Sequence, residues 1–95
     1  MTRGSYGIDI VVNGQRIKEV IIDPHYKEKH PDITDEIICR LVLALNGKEF
    51  AHEMIRDGFR FYMLDRIPLD RKLYRLVWCV QDGFIYIGVI NAFRR

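Results

Sequence analysis

The sequence predicts an α+β domain: one antiparallel sheet of ββαβββ order with a single main helix packed on one face. Three observations carry this. Apolar residues gather or alternate in five short strand-like runs. Asn13-Gly14 and Gln81-Asp82-Gly83 each separate two such runs, as hairpin turns do. One segment, DITDEIICRLVLALNG, instead repeats its apolar residues at three- and four-residue steps. A sheet with a helix on one face is the layered solution for that mixture. The 95 residues make one domain, 1–95. A chain of that size buries roughly 60–65% of its unfolded surface.

The elements follow in order. IDIVVNGQRIKEVII reads as two strands, near 7–12 and 16–22, joined at Asn13-Gly14. DPHYKEKHPD interrupts them with two prolines. Ile33, Ile37, Ile38, Leu41, Val42 and Leu45 then share one helical face, so a helix is expected over about 33–46. Asp32 or Thr34 caps its start, Asp35 and Glu36 suit the positive end of its dipole, and Asn46-Gly47 stops it. KEFAHEMIRDG is a short helical turn or a loop. Three strands follow: FRFYML, a turn region around Pro68 and LDRK, then LYRLVWCV and FIYIGVINAF.

No run approaches the ~20 apolar residues that cross a bilayer, and the start lacks the apolar stretch of a signal peptide. A cytoplasmic chain with no membrane partner is the expectation. Cys39 and Cys79 form no CxxC or Cys/His metal spacing and read as small core residues. His25 and His30 lack converging ligands, so neither a metal nor a cofactor is expected. Charge is uneven. Residues 1–55 carry seven Lys/Arg against nine Asp/Glu, and residues 56–95 carry eight against four. The basic residues of the second part are arginines except Lys72. Arginine's planar fork matches phosphate and carboxylate, which points to a nucleic-acid or acidic-protein partner.

Strand alternation locates those arginines. Leu73, Arg75, Val77 and Cys79 share one face; Tyr74, Leu76, Trp78 and Val80 share the other, bulkier one, which suits the helix. Arg75 then lies on the open face. Arg60, Tyr62 and Leu64 alternate together on the preceding strand, and they join Arg75 if their face matches its own. One of Arg94 and Arg95 must point the same way as Arg75. Such a cluster suits metal-free RNA cleavage. The ribose 2′-oxygen attacks the adjacent phosphate, and fixed guanidiniums stabilise the charge that develops. A general base and a general acid must move the two protons. The alternative is that Arg75 pairs with a neighbouring carboxylate and lies flat on the sheet.

LYRLVWCVQDGFIYIGVINAFRR resembles the C-terminal hairpin of the RelE/ParE toxin superfamily, and DGFRFYML resembles the strand before it; the likeness runs from Asp57 to Arg95. VIIDPHYKEKHPDITDEII is similar instead to BrnT-like members of the wider barnase–colicin–RelE-like nuclease group, with a short helix expected near 24–29. The resemblance implies a RelE-like fold. It also implies a toxin of a type II toxin–antitoxin pair, acting as a metal-independent endoribonuclease on ribosome-bound or free RNA and held by an antitoxin protein. Arg75 matches the strand arginine on the phosphate, Arg94 or Arg95 the basic strand end, and Arg60 the strand lysines. His25 is carried over from the BrnT-like side. The Tyr or His that ends many such toxins has no counterpart, so proton transfer falls to His25, Tyr62, Tyr86 or Lys29. ParE-type relatives poison gyrase rather than cleave RNA, and a non-catalytic protein-binding module on the same fold is a further alternative.

Overall fold

The computed structural model describes residues 4–24 and 29–95. Among these, β1 (Gly4–Val12) and β2 (Gln15–Ile22) form a hairpin. The helix α1 (Asp35–Leu43) follows. The chain then makes a meander of β3 (Met54–Arg56), β4 (Phe59–Leu69), β5 (Lys72–Gln81) and β6 (Tyr86–Arg94). All six strands join one sheet in the order β1-β2-β6-β5-β4-β3.

This corrects the expected ββαβββ antiparallel, RelE-like α+β sheet in two ways. There is a sixth strand, β3, and the sheet is mixed because β2 and β6 run parallel, from Glu19 opposite Tyr86 to Ile22 opposite Val89. Among the described residues the one helix element has nine residues, so what is described is mostly sheet. The physical reason lies in the join between the two units. Hairpin turns force antiparallel neighbours, but β2 meets β6 only after the chain has passed through α1 and the strands β3, β4 and β5. No turn signal in the sequence reports the direction of that contact.

Local chemistry explains the elements. Asn13 and Gly14 both take positive φ (53° and 72°), the conformation a two-residue hairpin turn demands. The Thr34 hydroxyl accepts from Ile37 N at 3.2 Å, so Thr34 is the cap, and Asp35 and Glu36 follow it in the first turn. The helix stops at Leu43 rather than 46. Leu45 N donates to Val42 O at 3.0 Å and Asn46 N to Leu43 O at 3.2 Å, a tighter i→i−3 winding. Asn46 and Gly47 then turn back on β1: Val11 N donates to Asn46 Oδ1 at 2.9 Å and Gly47 N to Val11 O at 2.7 Å. That contact covers part of an otherwise open sheet edge.

The core lies between α1 and one sheet face. Ile38, Leu41 and Val42 of the helix meet Ile10, Val20, Leu76, Trp78, Ile87 and Val89. The helix is held from two sides. The Tyr6 hydroxyl donates to Asp35 Oδ2, and Arg40 makes a forked pair with Asp70 (2.7 and 3.2 Å) at the β4–β5 turn. No second layer covers the other sheet face among the described residues. That face carries Met54, Phe59, Phe61, Met63, Val77 and Ile90, all exposed or only half-buried.

Candidate functional site

Two β-bulges decide which side chains meet on the open face. On β4, Leu64 pairs with Leu76 but Ile67 pairs with Tyr74, so Asp65 and Arg66 together oppose the single residue Arg75. Arg66 takes φ 56° to make the bulge. On β6, Val89 pairs with Trp78 and Asn91 with Val77, so Ile90 is the extra residue. That insertion switches the strand's faces. Ile87, Val89 and Ala92 line the core, whereas Phe93, opposite Arg75, points outward. Arg95 falls on the open face with Arg75, and Arg94, opposite Tyr74, falls on the other side.

The result is a compact arginine pole at one end of the open face. Asp65 Oδ2 accepts from Arg75 Nη2 at 2.9 Å, and Asp65 Oδ1 pairs with Arg95 Nε at 3.0 Å. The backbone N–H of Arg66 donates to the same carboxylate at 2.9 Å. The hydrogen bond from Arg75, supported by the Arg66 N–H and the charge of Arg95, holds the Asp65 carboxyl below the usual carboxylate range. The same bond raises Arg75 above its ordinary value. The Arg75 guanidinium carbon stands 5.3 Å from the centre of the Phe93 ring, and His30 stacks on Phe93 at 5.3 Å. The Arg75 Nε is buried without a hydrogen-bond partner. Two guanidiniums thus share one carboxylate, and the cluster keeps an excess positive charge.

The sequence-derived candidates separate. Arg75 and Arg95 come together. Arg94 does not join them. Arg60 pairs in register with Val80, whose side chain is in the core, so it lies on the helix side; it is bound to Asp82 at 2.9 Å. Tyr62 shares that side: it is 4% exposed, with its ring stacked on Trp78 at 5.4 Å and 9°. Tyr62 is therefore core, packed with Trp78 and Phe50. Tyr86 lies toward the opposite end of the sheet from Arg75, beside Phe84. His25 lies outside the described residues, as does most of the expected helix near 24–29.

Sequence reasoning missed Asp65, Phe93 and His30. A signal for Asp65 was present. Asp65-Arg66 between Leu64 and Ile67 breaks the two-residue apolar period, which is how a bulge looks in sequence. Nothing comparable marks His30, which reaches Phe93 only through the tertiary fold.

The comparisons with known proteins add no relative: no protein family, curated protein or solved structure matches the chain.

Proposed function

We propose that the chain is a non-catalytic binding module whose arginine pole grips an acidic group of a partner protein. One observation carries this reading: Arg75 and Arg95 already close on a carboxylate, that of Asp65, at 2.9 and 3.0 Å. The pole is thus shaped for a carboxylate, and its internal one keeps 28% of its side-chain surface exposed. Arg60 and Tyr62, which RNA cleavage would recruit, stand on the opposite face. A second reading, a RelE-type metal-independent endoribonuclease, is favoured by one feature, His30 against Phe93 beside the two guanidiniums.

Fluorescence anisotropy with a labelled Leu/Glu-rich peptide, beside a single-stranded RNA of similar length, separates the two. The peptide is expected to bind, with at least tenfold loss in Arg75→Ala and in Arg95→Ala. Asp65→Asn removes the internal competitor and is expected to tighten binding. The RNA is expected to stay intact. RNA cleavage that disappears in Arg75→Ala and His30→Ala overturns the binding reading in favour of the nuclease. Peptide binding indifferent to all three pole variants overturns it outright.

A further inference from the structure

The other half of the open face carries a pattern that the arginine pole does not use. Antiparallel and parallel registers align side chains in rows across the sheet. One row runs Ile21 (β2), Gly88 (β6), Cys79 (β5), Phe61 (β4), Met54 (β3). The next contains Glu19 (β2), Tyr86 (β6), Gln81 (β5), Phe59 (β4) and Arg56 (β3). In both rows β5 is the middle member, and the residues on its two sides are complementary. Gly88 is small where Phe61 is large. Ile21 and Met54 are both apolar. Glu19 is acidic where Arg56 is basic.

Gly88 lines a depression in this face. Gly88 and Cys79 lie in the floor of a cleft of about 180 Å³ that Asp23 also lines, and the Cys79 thiol packs so close that a Cβ on Gly88 would come 3.1 Å from its Sγ. Ile21, Ile90, Tyr86 and Phe59 wall it. A cavity of about 150 Å³ holds a benzene ring, so this one suits a single phenyl group. Around it the face stays apolar and exposed: Met54 50%, Met63 39%, Ile90 40%.

We infer that this face binds a second copy of the chain about a two-fold axis running along β5. Such an axis lays β6 of one copy over β4 of the other and β2 over β3. Each Phe61 then meets the partner's Gly88 cleft, each Ile21 the partner's Met54, and each Glu19 the partner's Arg56. A two-fold interface requires this reciprocity: if residue i meets j, j meets i. The five strands from β2 to β3, ~4.8 Å apart, and the stretch Val77–Gln81 of β5 outline a patch of roughly 400 Å², below the ~800 Å² per partner of a standard interface and in the range of weak, reversible association. Neither charged residue is committed elsewhere by a strong pair. Glu19 accepts only from the Ser5 hydroxyl at 2.8 Å among the contacts described, and Arg56 lies 3.9 Å from Asp57. Arg75 is four residues from Cys79 along β5, about 13 Å, so the pole stays at the margin of this interface. The inference is thus independent of what the pole binds.

Sedimentation equilibrium of the whole chain tests it, with circular dichroism to confirm folding. Wild type is expected to dimerise with a Kd of roughly 1–50 μM. Glu19→Arg and Arg56→Glu are surface changes that each act twice by symmetry, so each alone is expected to weaken the dimer at least tenfold. The two together are expected to restore it to within about threefold of wild type. A wild type that stays monomeric at several hundred micromolar overturns the inference. So does a dimer that both single variants leave intact, or one that the double variant fails to restore.

Discussion

At the level of single residues, Asp65 governs the pole. Its carboxyl is held low in the folded chain, first by the Arg75 hydrogen bond and then by the Arg66 N–H and the neighbouring charges. A depressed folded-state pKa stabilises the protein above the unfolded value of about 3.9, and that stability is lost as pH falls through the folded value. Wild type should therefore lose urea resistance below about pH 4. Asp65→Asn should be less stable than wild type at pH 7, and the gap should close toward pH 2. Urea midpoints at the two pH values check this, and a gap that persists at pH 2 would show that packing rather than ionisation sets it. Asp65 also marks what was legible at this scale. A charge inside the LYRLVWCV strand is visible in sequence, and so is the choice between an open phosphate site and a paired carboxylate. The carboxylate itself was hidden because it enters through a bulge, where two residues oppose one and simple alternation fails.

Among the elements, hairpin turns were the most legible and also explain a miss. Asn13-Gly14 has the chemistry of a hairpin turn, and it joins β1 to β2. Asp57-Gly58, with φ of 53° and 81°, makes an equivalent turn between β3 and β4. Three residues, Met54–Arg56, are too few to show alternation, so the strand before that turn stayed invisible. The β4–β5 turn is the reverse case. Asp70 and Arg71 both take positive φ, 51° and 66°, although an arginine is a poor residue for that region. Arg71→Gly should relieve about 1–2 kcal/mol of left-handed strain while adding about 0.5–1 kcal/mol of unfolded-state entropy. The net gain of roughly 0.5–1 kcal/mol should raise Tm by about 3–6 °C in thermal melts. The turn stays anchored meanwhile, since its tie to the helix runs through Asp70 and Arg40 and does not involve Arg71.

For the whole molecule, sequence periodicity gave the contents of the two sheet faces better than it gave the topology. The face of Tyr74, Leu76, Trp78 and Val80 was expected under the helix, and all four are buried there. The parallel β2–β6 contact was not expected, because it depends on where a crossover delivers the chain rather than on any local pattern. The consequence, among the described residues, is one finished core and one largely apolar face left open. Two neighbours on β5 measure that asymmetry. Leu76 is 0% exposed against the helix, so Leu76→Ala should cost about 2–5 kcal/mol at any protein concentration. Val77 is only half-buried on the open face, so Val77→Ala should cost less than about 1 kcal/mol in dilute protein, where there is little contact to lose. If a second copy covers that face, association stabilises the folded chain by mass action. The Tm of wild type should then rise with concentration, and the Val77→Ala penalty should grow with it while the Leu76→Ala penalty stays constant. Melts of the three proteins from about 1 to 200 μM give both slopes. A Val77→Ala penalty that is large already at 1 μM would mean that the open face is covered from within the chain, and a flat one throughout would mean that it is not covered by a second copy.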